Sequence, residues 1–232
     1  MACGRQLQWY EMIPVLSWVA LHGRCRSCFA SISVQYPLVE LSTAILFALV
    51  GGAPIWIVAK ILGTLIASLL VMIAVYDIRH TIIPDEWSYA FAGLAFMSSL
   101  LGNAGGFDQL TGILLLMSGP LAALPLLILW VVSQGRWMGL GDPKLALGIG
   151  WLLGFPMGIY AVFFAFLIGA VVSVFVLLPF EYIKHACGIT RLGTRQQGFT
   201  MKSEVPFGPF LIASCVFVWC AMMYMIPLPL IP

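Results

Sequence analysis

Charge is what this sequence has least of. Only 9% of its 232 residues are Asp, Glu, Lys or Arg, against roughly 25% in an average soluble domain. A water-soluble globule of this composition would have almost nothing polar to cover its surface, so that class is excluded. There is no basic tract, and the formal net charge is only +2, which argues against nucleic acid as a partner. Period-two alternation of apolar and polar residues is also missing, and a transmembrane β-barrel requires it. The opening "MACGRQLQWYEMIPVLSWVALHGRCRSCFASIS" is mixed and cysteine-bearing. It does not have the charged start and apolar core of a cleavable signal peptide. What the chain does have is 62% apolar residues and a mean hydropathy of +1.04, gathered in long runs. The expected class is an all-α, polytopic helical membrane protein.

Taking about 20 apolar residues as a spanning length, the runs predict about seven segments. They cover 37–52, 55–76, 84–101, 109–132, 143–155, 157–180 and 207–229. The fifth is short, and only "GFPMG" separates it from the sixth, which predicts a tight hairpin. Residues 1–36 form a small N-terminal region carrying cysteines, and 37–232 the membrane-embedded domain. Cytoplasmic loops carry the excess of Lys and Arg. Arg5, Arg24, Arg26, Arg79, Arg136, Lys144, Lys184, Arg191, Arg195 and Lys202 all fall on one side of this layout. The opposite loops, "GGAP", "GNAGGFDQ" and "GFPMG", contain no basic residue. Lys60 is the exception, near the outer end of the second segment, where it can snorkel to the interface. The expected topology has a cytoplasmic N-terminus and a C-terminus outside.

Two carboxylates stand out against this background. Asp77 ends the second segment in "VYDIRHTIIPDEW", and Asp142 begins the fifth in "GLGDPK". The topology puts both at the cytoplasmic membrane boundary. Carboxylates in membrane segments are costly, and they usually face the bundle interior and carry function. Like charges a few ångströms apart cannot both ionise cheaply, so two at one depth can share a proton and hold a water between them. The ionised member takes the water's proton while the protonated one polarises a carbonyl, which is aspartyl protease chemistry. Gly139 and Gly141 allow unusual dihedrals and close backbone approach. Pro143 suits the first helical position, which predicts a helix starting at Asp142 as its N-cap. The same residues fit a proton-coupled transporter using Asp77 and Asp142 as a relay. Such transporters, however, favour midplane sites on broken helices in repeated halves, and the sequence has no such repeat.

At these residues the chain resembles the type IV prepilin peptidases, membrane enzymes of the GxGD aspartyl protease group. "GLGDPKLALGIG" matches the GxGD motif at Gly139, Gly141 and Asp142, and "YDIRHTIIPDEWS" matches the first-aspartate motif at Asp77. Asp85 takes the Ile-Pro-Asp position, which the family does not use as a catalyst. "WYEMIPVLSWVALHGRCRSC", "ISVQYPLVEL" and "VPFGPFL" resemble further family motifs in the right order. The resemblance implies cleavage of the leader from type IV prepilins and type II secretion pseudopilins at the cytoplasmic face of the bacterial inner membrane. The C-terminus would then be periplasmic. It also implies N-methylation of the new amino terminus, often a phenylalanine, with S-adenosylmethionine as donor.

The family usually binds zinc through two Cys-x-x-Cys pairs. Here Cys25 and Cys28 form one intact pair, and only Cys3 of the other is present. Its partner would precede Met1, and the family's usual first membrane helix is also missing, as in a chain lacking its N-terminal part. Zinc would therefore have three thiolates, with His22 as a candidate fourth ligand. Cys215 and Cys220 read as small apolar packers in the last segment, and Cys187 is in no pair of metal-ligand spacing. Trp9, Trp18, Tyr36, Trp137 and Trp151 read as interfacial aromatics. Arg79, His80 and Lys144 read as cytoplasmic anchors with access to membrane lipid phosphate. Glu40 is expected to face the protein, because a buried acid there is expensive, with structural pairing and a methyl-transfer role both open. Glu204 reads as a helix-start acid.

Overall fold

The computed structural model describes residues 3, 6, 8–102, 109–177 and 206–225. The helices follow the apolar runs. A short 3₁₀ turn, Trp9–Met12, and helix α1, Leu16–Ala20, belong to the N-terminal segment. Seven longer helices follow: α2 (Gln35–Gly52), α3 (Ile57–His80), α4 (Asp85–Gly102), α5 (Gln109–Ser133), α6 (Gly141–Leu153), α7 (Met157–Val172) and α8 (Gly208–Met223). A π-helical turn, Ser173–Leu177, extends α7. Among the described residues the only extended pairing is an isolated bridge between Arg24 and Ser31. Each predicted segment overlaps one of the seven helices, and the ends predicted at 178–180 and 226–229 lie outside the described residues. Lys184, Cys187, Arg191, Arg195, Lys202 and Glu204, like Arg5, lie outside the described residues.

Among the described residues, four spans are long and apolar enough to cross a membrane: Gln35–Gly52, Ile57–His80, Gly112–Ser133 and Met157–Phe175. At 1.5 Å per residue the 24 residues of α3 reach about 36 Å, more than the roughly 30 Å hydrocarbon core. The 13 residues of α6 reach only about 20 Å. The protein around α6 replaces the lipid it fails to reach. This helix packs most extensively on α4 and α5 and also touches α7 and α8. Eight of its 13 residues are buried, so it occupies the middle of the bundle.

Small residues let the neighbours come that close. A methyl group on Gly150 would overlap the Ser118 carbonyl and lie 2.7 Å from the Ala122 side chain, both on α5. Around this contact the core is aliphatic, with Ile66, Leu70 and Ile73 of α3, Leu145 and Ile149 of α6, and Leu211 and Val218 of α8 fully or almost fully buried. Ser214 of α8 donates its hydroxyl to the Ala161 carbonyl of α7 at 2.7 Å, which satisfies a polar group in a layer without water.

Several expectations need revision. Trp151 is a bundle residue rather than a belt residue: its indole N–H donates to the Leu116 carbonyl at 3.3 Å, and its ring packs on Phe96. Trp18 is likewise internal to the N-terminal segment, donating to Ile32 O at 3.2 Å. Lys60 donates to the Gly51 carbonyl at 2.8 Å, so it caps the end of α2. Cys215 is buried and Cys220 half-buried in α8, as packers should be.

The Gly150 contact gives a direct test. Gly150→Ala forces α5 and α6 apart, and overpacking of this kind costs about 1–3 kcal/mol. The expected result is a lower thermal unfolding midpoint in detergent, with no such loss for Gly93→Ala, where the added methyl meets open space.

Candidate active site

The helix ends bring the two singled-out carboxylates together. Along α3, Ile66, Leu70, Ile73 and Asp77 are buried, the i, i+4, i+7, i+11 stripe of a helix face turned to the core. Asp77 therefore points inward one turn before the helix stops at Thr81, whose left-handed φ of 53° ends it. Asp142 lies in the first turn of α6. The residues are 4% and 7% exposed, respectively, and Ile83 packs against both the Gly208 position beside Asp77 and the Gly141 position that precedes Asp142.

Helix α6 begins at Gly141 with Leu140 as its N-cap, so the cap lies two residues earlier than predicted. Asp142 is thus inside the helix rather than capping it. Neither motif glycine has a positive φ. Gly141 is needed for contact instead: a methyl group there would lie 2.9 Å from Ile83 Cβ. Gly139 is exposed, with no close neighbour beyond the local chain, so the close approach expected of it is not found.

Ile83 is a member that sequence reasoning missed. It sits in the α3–α4 turn and is 8% exposed. It touches the Gly141 position from one side and the Gly208 position from the other. Gly208 is the first residue of α8, in the Pro-Phe-Gly-Pro stretch. A side chain at Gly208 would collide with Asp77 Oδ2, and that oxygen has no hydrogen-bond partner among the described residues. The Pro-Phe-Gly-Pro motif was the available signal, but its tie to Asp77 is tertiary.

Asp85 and Lys144 also meet. Lys144 Nζ lies 2.6 Å from Asp85 Oδ1 and 5.5 Å from the centre of the Tyr89 ring. This links the first turn of α4 to the first turn of α6, so Lys144 is more than an anchor. Arg79 donates to Gln35 Oε1 at 2.8 Å, and His80 packs on Tyr76 with ring centres 4.4 Å apart.

The N-terminal segment gathers its cysteines. The sulfurs of Cys3, Cys25 and Cys28 all lie within 4.8 Å of one another, and Cys3 and Cys25 are 3.9 Å apart. A zinc–sulfur bond of about 2.3 Å spaces the sulfurs of a tetrahedral site about 3.8 Å apart, so this donor set fits three corners. His22 is not part of the cluster. Backbone hydrogen bonds from Cys28 and Ser27 lower the Cys25 thiol from its ordinary value to about 7. Glu40 is exposed but faces the protein, where it accepts the Val15 backbone N–H of the N-terminal segment at 2.8 Å.

Comparison with known proteins matches this layout. The model of the bacterial peptidase A24 N-terminal domain matches residues 1–53, and that of the type IV leader peptidase family matches residues 64–174. The first range holds the three cysteines and Glu40; the second holds Asp77, Asp85 and Asp142. Over 187 residues the chain is 36% identical to a prepilin leader peptidase/N-methyltransferase of Myxococcus xanthus, covering 76% of this chain and 52% of that protein. Proteins of the same name from Aeromonas hydrophila and Bacillus subtilis are each 31% identical, over 230 and 229 residues. Those alignments cover 96% and 94% of this chain, and 69% and 78% of the relatives. The chain thus spans about half the length of the Myxococcus protein and two-thirds or more of the other two. No solved structure gives a significant match.

The lowered Cys25 thiol predicts its reactivity. Thiolate is the nucleophile, and its share rises as pH rises through the thiol's pKa. After metal chelation, Cys25 should reach half its maximal rate of alkylation by iodoacetamide near pH 7, below the roughly 8.5 of a free cysteine. Mass spectrometry of the modified peptide across a pH series checks this, with buried Cys215 as the unreactive reference.

Proposed function

Because the chain belongs to the type IV leader peptidase family, we propose that it cuts the leader from type IV prepilins and type II secretion pseudopilins at the cytoplasmic face of the inner membrane. Asp77 and Asp142 are the catalytic pair in this reading. The observation that carries it is their convergence, from the end of α3 and the start of α6, in a buried place that Gly208 keeps open beside Asp77 Oδ2. One carboxylate takes a proton from water while the other, protonated, polarises the scissile carbonyl. The new amino terminus is then N-methylated, as the name of the relatives suggests for this chain, with S-adenosylmethionine supplying the methyl group. Cys3, Cys25 and Cys28 would hold a zinc ion that fixes the N-terminal segment, since metal binding becomes folding energy in small metal-bound regions. The N-terminal region lies in the cytoplasm and the C-terminus in the periplasm, in line with the basic residues of the loops.

Site substitutions test the assignment. Asp77→Asn and Asp142→Asn keep shape but cannot exchange the proton, and each should lower prepilin cleavage by about 10²–10⁴-fold in a detergent assay. Gly208→Ala pushes the Asp77 carboxyl aside and should cost about 10²-fold, the scale of a 1 Å misplacement. Asp85→Asn removes an ion pair whose carboxylate is 61% exposed, a contact worth about 0–1 kcal/mol, and should keep most of the activity. Full cleavage by either Asp77→Asn or Asp142→Asn sinks the assignment.

A further inference from the structure

A cavity lies away from the aspartates, with Cys3 and Cys25 of the sulfur cluster in its wall. It has a volume of about 220 Å³ and sits between the N-terminal segment and the start of α2. Two carboxylates, Glu11 and Glu40, reach it, along with the faces of Trp18, Leu21, Ile32 and Tyr36. Both acids are pinned by backbone donors. Glu40 Oε2 accepts the Val15 N–H at 2.8 Å, and Glu11 Oε2 accepts the Gln8 N–H at 2.9 Å. Arg26 also lines the cavity, and its guanidinium donates to the Tyr10 hydroxyl at 3.1 Å.

Anchored carboxylates beside an aromatic and aliphatic wall suit a cation with an apolar flank. The cavity is smaller than the roughly 300–1,000 Å³ that encloses a drug-sized ligand. It is sized for one large side chain and its amine rather than for a whole nucleoside-bearing methyl donor. Glu40 is the sixth residue of α2, a helix long and apolar enough to span a membrane. A substrate helix lying in the membrane beside α2 would present its amino terminus at this level.

We infer that this cavity binds the α-ammonium and first apolar side chain of the cleaved substrate, with Glu40 as the principal charge partner. The inference rests on the methyl-transfer half of the proposed function. For transfer, the ammonium first releases a proton to solvent. The nitrogen lone pair then forms the N–C bond to the methyl group as the donor's C–S bond breaks, and that electron pair stays on sulfur. Glu40 holds the amine in place and stabilises the methylated ammonium that results. It is a binding residue, separate from the aspartyl pair.

The experiment uses the full chain in detergent and two peptides that begin with phenylalanine and continue with apolar residues. One has a free amine and the other is N-acetylated. The free-amine peptide should bind about tenfold more tightly, the scale of one charge-assisted hydrogen bond. Glu40→Gln should erase that difference, because glutamine still accepts the Val15 N–H and removes only the charge. Glu11→Gln provides a second variant, expected to reduce the preference by a smaller factor. Equal binding of the two peptides to the wild type, or an undiminished amine preference in both variants, overturns the inference. A separate assay follows methyl incorporation by the wild type from labelled S-adenosylmethionine. No incorporation overturns the methyl-transfer reading, and the amine site is then decided by the peptide comparison alone.

Discussion

Two buried carboxyl groups at one end of an apolar bundle are the constraint around which this structure is arranged. Removing a carboxylate from water without full hydrogen bonding is among the most expensive things a chain can do. Asp77 Oδ2 is left without a partner among the described residues, and Asp142 is buried as well. The surroundings accommodate this arrangement sterically. Gly208 leaves room for the Asp77 oxygen, and Gly141 leaves room for Ile83, which bridges the two glycine positions. Three separate chain segments, the ends of α3, α6 and α8, thus meet at one point because two of them contribute no side chain there. A bundle packed only for stability would have filled that point.

The short central helix follows from the same constraint. An Asp at the start of a full-length span can sit at the membrane boundary and remain near water. Helix α6 is too short to span, so its first turn and its last are both held by protein. Its eight buried residues and the close approach at Gly150 fix the helix along its length. The Lys144–Asp85 pair ties its start to α4. At an exposed carboxylate that pair adds little stability.

How much of this could be read beforehand depends on whether a feature is local. The seven helices were legible because each is a continuous apolar run, and hydropathy acts within a run. Asp77 and Asp142 were legible because a carboxylate is rare and costly in such a run, and because the flanking motifs resemble a family. What was illegible is tertiary. Gly208 carries no mark that it faces Asp77, 131 positions earlier, and Ile83 looks like any apolar turn residue. The N-cap at Asp142 was expected from a Gly-Asp-Pro pattern that usually starts a helix one residue later; burial of the carboxylate took precedence over capping. That Glu40 faces the protein was legible, because an acid in an apolar run is expensive; its partner, the Val15 N–H 25 positions earlier, was not.

Helix α3 is the wall that separates the two proposed chemistries. Its inner face carries Asp77, while Arg79, two residues on, reaches out from the other side to Gln35 at the start of α2. Helix α2 in turn presents Glu40, one and a half turns beyond Gln35, to the N-terminal segment through the Val15 N–H. The segment's position therefore depends on α2, and the start of α2 is tied to α3 by a hydrogen bond between the Arg79 and Gln35 side chains. On the proposed reading, a substrate cut beside Asp77 must carry its new amine around α3 to reach Glu40. That requires the product to leave the aspartyl pair while its apolar helix stays in the membrane. The two reactions are then sequential by geometry: the leader has to depart before the amine exists, and the amine has to move before it can be methylated. A single shared pocket would have forced the carboxylates that activate water to sit against a cationic product, slowing its release. Two sites on opposite faces of one helix avoid that.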